Sequence, residues 1–144
     1  MTTSDDQTLL TLTPGIGSGP ILRLDAPLSF WGGVDPSTGI IIDAHHPQAG
    51  IRITDAIVVL ESVRGSNAGG TVLMECIRAG TAPAGIVLRY PTQILAVGPI
   101  VAGEIYGRAL PIVVTTNLTA DVLRAGNRVR IEAESVHARI TLQA

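Results

Sequence analysis

The stretch Val63-Arg64-Gly65-Ser66-Asn67-Ala68-Gly69-Gly70 carries the chain's best-grouped chemistry: a guanidinium, a hydroxyl and an amide set among glycines. Glycines let a backbone approach a ligand closely. It stands between a β-branched apolar run and a helical pattern, so a helix N-terminus follows. Unpaired N–H groups and a partial positive charge there suit an anion. Ser66 is the candidate catalytic residue, and Arg64, Gly65 and Asn67 are candidate substrate contacts. A hydroxyl is a poor base, and a helix terminus favours a nearby negative charge by only about 0.3–1 kcal/mol, up to about 2. At about 1.4 kcal/mol per pKa unit, that moves Ser66 by a unit or so. A catalytic Ser66 therefore needs further cations or a metal, and locally this chain supplies only Arg64. Ser66 or Asn67 also suits a plain helix cap.

A second candidate is Ser29-Phe30-Trp31-Gly32-Gly33-Val34-Asp35-Pro36, which holds the only Phe and the only Trp. Aromatics in a glycine-rich loop either anchor it to a core or face a substrate or an interface, so Trp31, Gly32 and Gly33 join the candidate contacts. A third is His45-His46. Adjacent residues on extended chain point to opposite sides, which suits one ion poorly. One histidine, taken as His45, is free to face a site as an acid or hydrogen-bond donor, and the other is structural. Cys76 lies among Val72, Leu73 and Ile77 at the spacing of an apolar helix face, and reads as core.

The elements that position these residues alternate along the chain. Residues 1–18 read as a flexible N-terminal arm and residues 19–144 as one domain. Strands are predicted at Ile21–Leu24 and Gly39–Asp43, and at Ala56–Leu60, whose continuous apolar run marks burial on both faces. A helix follows over Ala68–Ala79, closed by Gly80. Gly85–Leu88 and Pro111–Val114 are further strands, with a short helix over Pro99–Tyr106 between them, Pro at an early position. Thr119 caps a helical turn to Ala125, and Arg128–Glu132 with His137–Leu142 form a half-exposed hairpin. The pattern is a mixed α/β layer fold.

Composition excludes several classes. Apolar residues are 46% and charged residues 15% of 144, a low charge density that suggests a surface hidden against a partner. The net charge is −2, every basic residue is an arginine, and the arginines are scattered. With 3% aromatics, this excludes a nucleic-acid footprint. The longest nearly uncharged stretch, Tyr90–Gly103, is too short and too interrupted by Pro91, Gln93, Gly98 and Pro99 to span a membrane. No secretory signal is evident, and a single cysteine fits a reducing, cytoplasmic setting. One cysteine also supplies no metal–thiolate cluster, so this chain alone is expected to bind no metal.

The ordered series Ser29–Pro36, Thr38-Gly39, His45-His46-Pro47, Arg64-Gly65-Ser66, Ala82-Pro83-Ala84 and Leu110–Val114 resembles the swivel domain of aconitase X over residues 20–144. The resemblance implies a swivelling β/β/α domain acting as the small subunit of a heteromeric hydro-lyase. Two activities belong to that family, dehydration of cis-3-hydroxy-L-proline and of mevalonate 5-phosphate; the absence of lysine favours the first small hydroxy acid. It further implies that a large subunit holds an iron–sulfur cluster, which withdraws the hydroxyl as a Lewis acid, and that Ser66 removes the proton. One departure stands out. Family members follow the serine with further Ser, Thr or Cys, whereas Asn67-Ala68-Gly69-Gly70 follow here. That leaves a non-catalytic swivel-fold binding module as the rival reading.

Overall fold

Four short apolar runs meet side by side and are covered on both faces, and this arrangement sets the architecture. The computed structural model describes residues 9–65 and 68–143, with Ile94 described by its backbone alone. The strands are β1 (Leu9–Thr13), β2 (Gly15–Arg23), β3 (Val34–Asp35), β4 (Ile40–Ile41), β5 (Ile57–Leu60), β6 (Gly85–Leu88), β7 (Ile112–Thr115), β8 (Arg128–Ala133) and β9 (Ala138–Gln143). Helix α1 spans Ala68–Ala79 and α2 spans Gln93–Tyr106, and a single 3₁₀ turn covers Asp121–Leu123. The main sheet runs β1-β7-β6-β5-β2-β8-β9, with β2, β5, β6 and β7 parallel and the flanking pairs antiparallel.

Strand β2 is the corner. Residues 15–20 pair with β8 and residues 21–23 with β5, so one strand feeds two sheets. Period-two alternation then divides the core. Val58, Leu60, Ile86, Leu88 and Ile112 face the helices and pack with Leu73, Cys76, Ile77 and Leu95. Ile57, Val59, Val87 and Val113 face the other way, onto Val129, Ile131 and Ile140 of the β8–β9 hairpin. The result is three layers, sheet on sheet on helices: the expected β/β/α arrangement. Each such buried side chain contributes roughly 1.5–3 kcal/mol. The hairpin turn reaches back to β1, where Thr11 N–H donates to the Val136 carbonyl at 2.8 Å.

Four expectations are corrected. The flexible arm assigned to residues 1–18 is, from Leu9 onward, β1 and the first part of β2. Its glycines serve a close crossing: a β-carbon on Gly17 would overlap the Ala84 carbonyl oxygen. Residues 1–8 lie outside the described residues. Helix α2 begins at Gln93 rather than Pro99, and Pro99 sits inside it. An internal proline costs about 3 kcal/mol, yet burying Leu95 alone returns roughly 1.5–3 kcal/mol, and Pro99, Ala96 and Ala102 are buried with it. The helical turn over Thr119–Ala125 contracts to the 3₁₀ turn, because Thr119 donates its hydroxyl and its N–H to the Asn117 side chain instead of capping.

The strand predicted over Gly39–Asp43 shortens to β4, paired with β3 in a small separate hairpin. Its segment packs Phe30, Val34, Ile41 and Ile53 into the helix-side core. Thr81 Oγ1 ties the segment to the end of α1 by donating to the Pro36 carbonyl at 2.6 Å.

Replacing Gly17 with Ala forces backbone to move where β2 crosses Ala84, and should lower the free energy of unfolding by about 1–3 kcal/mol in urea titration. A loose arm would leave the midpoint unchanged.

Candidate functional site

Parallel pairing places the carboxyl ends of β2, β5 and β6 on one edge, where α/β sheets hold ligands. Backbone bonds stitch the three following segments together. Leu24 N–H donates to Val59 O at 2.9 Å, and Arg64 N–H donates to Leu28 O at 3.1 Å. Arg89 and Tyr90 N–H both donate to Glu61 O, at 3.1 and 3.0 Å. Helices α1 and α2 start directly beyond the second and third of these segments, so both N-termini belong to this edge.

Gly65 is the tightest point. Its φ is +109°, and a β-carbon there would stand 2.7 Å from Ser29 Oγ. The turn before α1 therefore lies against the aromatic loop, and two separately identified stretches are one place. Within that loop Phe30 is 1% exposed and anchors it, whereas Trp31 is 63% exposed. Ser29 Oγ donates to Trp31 O at 3.0 Å. Gly32 is exposed, and buried Gly33 accepts from Ile42 N–H at 2.9 Å. The Arg64 side chain is exposed, and among the described residues it forms no ion pair; those found join Arg78 to Glu75, Arg124 to Asp121 and Arg130 to Glu132. Ser66 and Asn67 lie outside the described residues, bracketed in the chain by Gly65 and by Ala68, the first residue of α1.

The two histidines separate by environment. His46 is 6% exposed, and its Nδ1 accepts from Gln48 N–H at 3.0 Å, which leaves Nε2 to donate to Ala26 O at 3.2 Å. Both ring nitrogens are used structurally. His45 is exposed, and its backbone N–H donates to Asp43 Oδ1 at 3.0 Å. Its turn is fastened to the same edge by Gln48, which exchanges hydrogen bonds with Asp25. Among the described contacts none joins His45 to Arg64 or Gly65.

No cluster site takes shape among the described residues. Cys76 is the chain's one cysteine and fully buried. Burial pushes its thiol up, against the opposing effect of the Thr81 hydroxyl, and a raised thiol is a poor source of thiolate. No three His, Cys, Asp or Glu side chains of the described residues come together. The residues here do not fit an iron–sulfur group. Among the described residues no helix is long and apolar enough to cross a membrane.

Sequence reading passed over Arg89 and Tyr90. The guanidinium of Arg89 sits 4.9 Å from the Tyr90 ring centroid. With α2 started at Pro99, residues 89–92 looked remote from any helix. The missed signal is Thr92, an N-cap residue type immediately before Gln93. Beside these turns, α1 and α2 approach at Gly70 and Gly98. They bound a groove of about 440 Å³ lined mainly by Thr71, Met74, Gln93, Val97 and Val101. Tyr90 and Val97 are 54% and 65% exposed, so the site is rimmed by uncovered apolar surface.

The aconitase X swivel-domain profile matches residues 8–140. The chain belongs to that family. It is 49% identical over 102 residues to a cis-3-hydroxy-L-proline dehydratase of Pseudomonas aeruginosa, a match covering 71% of this chain and 18% of that one. The chain thus spans about a fifth of the length of that relative. It is 34% identical over 132 residues to the phosphomevalonate dehydratase small subunit of Pyrococcus furiosus, covering 92% of each. The crystal structure of Thermococcus kodakaraensis aconitase X in its holo form superposes with a TM-score of 0.76 at 30% identity, over 94% of this chain and 98% of that chain. The swivelling β/β/α fold is therefore the family's own.

The contact between the aromatic loop and the turn before α1 has a direct test. Gly65→Ala should cost about 1–3 kcal/mol of stability through the positive φ and the Ser29 contact. Adding Ser29→Ala should return part of that loss in a double-mutant cycle. Additive effects would mean that the two turns do not touch.

Proposed function

We propose that this chain is the small subunit of a heteromeric aconitase X-type hydro-lyase, dehydrating cis-3-hydroxy-L-proline with Ser66 as the base. The observation that carries the reading is the Arg64–Gly65 turn. It is held against Ser29 at the carboxyl edge of the sheet, immediately ahead of Ser66 in the chain and just short of α1. A substrate bound there places its carboxylate by Arg64 and the first N–H groups of α1. Ser66 Oγ takes the proton from the carbon next to that carboxylate. The released electron pair forms the double bond as the hydroxyl departs from the neighbouring carbon, and a proton returned by Ser66 or taken from solvent completes the water that leaves. Developing negative charge spreads into the carboxylate, where fixed cations and N–H dipoles stabilise it without reorganising.

Helix terminus and Arg64 together shift a serine hydroxyl by far less than full ionisation requires. The reading therefore requires a second polypeptide to complete the site, and the uncovered apolar rim around Trp31, Tyr90 and Val97 supports one. A large subunit is that partner. The iron–sulfur cluster implied by the resemblance belongs to it, because this chain's described residues do not build such a site. The chain's own share is the proton and the carboxylate.

For substrate, the absence of lysine disfavours a phosphorylated molecule held from this side, and the 49% identity to a hydroxyproline dehydratase points the same way. A second reading, mevalonate 5-phosphate, draws on the near-complete mutual coverage with a phosphomevalonate dehydratase small subunit. A non-catalytic binding module remains the rival from another class, motivated by Asn67-Ala68-Gly69-Gly70 after the serine.

In the pair reconstituted with its large subunit, Ser66→Ala should lower kcat by about 10²–10⁴-fold with thermal unfolding unchanged. Wild-type turnover should be higher on cis-3-hydroxy-L-proline than on mevalonate 5-phosphate. Full activity of the Ser66→Ala pair removes the serine base, and a pair inert to both substrates favours the binding module.

A further inference from the structure

We propose that Arg89, stacked on Tyr90, is a second carboxylate-holding residue of the site and acts together with Arg64. The inference deepens the functional reading above and rests on it. Its geometry is independent of Ser66. Arg89 is the first residue after β6, the strand that pairs with β5, and Arg64 lies in the turn that follows β5. Through their N–H groups Arg89 and Tyr90 both hang from the Glu61 carbonyl, which opens that same turn. Two guanidinium-bearing segments are thus fastened side by side at the carboxyl edge, each one running into a helix N-terminus.

The other arginines near helices or turns are already occupied. Arg23 donates to the Leu118 and Leu123 carbonyls, Arg108 donates to the Ile77 carbonyl, and Arg78 and Arg124 pair with carboxylates. Arg89 is half-buried and has no acidic partner among the described residues. Its guanidinium is held by an aromatic face instead. Stacking of this kind restrains a long side chain while leaving its N–H fork free for a planar anion. Arg52, Arg128 and Arg139 also pair with no carboxylate among the described residues but lie off this edge, beyond β4 and on the β8–β9 hairpin.

Removing a proton next to a carboxylate demands such a pair. When the C–H bond breaks, its electrons delocalise onto a group that already bears one negative charge. A single exposed arginine is a weak counterweight to that second charge. Two guanidinium groups, one of them restrained on an aromatic ring before the reaction begins, match the charge that develops better than one. The carboxylate is common to both candidate substrates, so the assignment does not depend on which of them is used.

The test uses the reconstituted pair carrying wild type, Arg89→Gln, Arg89→Lys or Tyr90→Leu, assayed on whichever substrate the wild-type pair turns over. Arg89→Gln should raise KM at least tenfold. Arg89→Lys should recover part of that loss, and Tyr90→Leu should raise KM several-fold. Unfolding temperature should match wild type in all three, and affinity for the large subunit should match wild type in both Arg89 variants. A KM within twofold of wild type for Arg89→Gln overturns the assignment. So does a loss of activity that disappears at saturating large subunit, which would make Arg89 a subunit contact. A wild-type pair inert to both substrates fails the functional reading first, and this inference falls with it.

Discussion

Parallel pairing among β2, β5 and β6 is the constraint on which the site depends. Their carboxyl ends share an edge because the strands run the same way, and the crossovers that such pairing requires help to cover the apolar runs 57–60 and 85–88 on both faces. Helices cover one face and the β8–β9 hairpin the other. The segments leaving that edge stay free to meet a ligand. The bonds from Arg64 to Leu28 and from Arg89 and Tyr90 to Glu61 turn three independent loops into one surface.

That surface is unfinished. Trp31, Tyr90 and Val97 are large apolar side chains more than half exposed around it, and the groove between α1 and α2 opens beside it. The arginines on its rim have no carboxylates of their own among the described residues. An isolated domain gains nothing from such an arrangement, because uncovered apolar area favours association. The proposed closure by a second polypeptide would account for these features together.

Much of the framework was legible in the residues, and the misses have physical causes. Runs such as Ile57–Leu60 and Gly85–Leu88 announce themselves because burial on both faces demands continuous apolar character. Helix α1 was legible from its apolar spacing and closing glycine. Helix α2 was not, because Gly98-Pro99 is a local start signal that packing against α1 overrides. The first part of β2 was read as loose because glycine ordinarily weakens a strand; here it permits a crossing that no side chain allows. At the site, the Arg64–Gly65 turn and the Trp31 loop were both marked in advance. Their contact through Ser29 is a long-range fact that spacing does not encode. His45 and His46 could be divided into exposed and structural roles, but the only local mark beside Arg89 is Thr92 as a helix-start residue type.

Turnover by the proposed mechanism depends on the direction of one hydroxyl. A crystal structure of this chain assembled with its large subunit and a bound substrate carboxylate tests it most directly. The account predicts Ser66 Oγ about 3–3.5 Å from the proton-bearing carbon, with the carboxylate at the edge formed by the turns after β5 and β6. A ligand seated elsewhere, or a Ser66 hydroxyl turned into the α1 backbone as a simple cap, would contradict it.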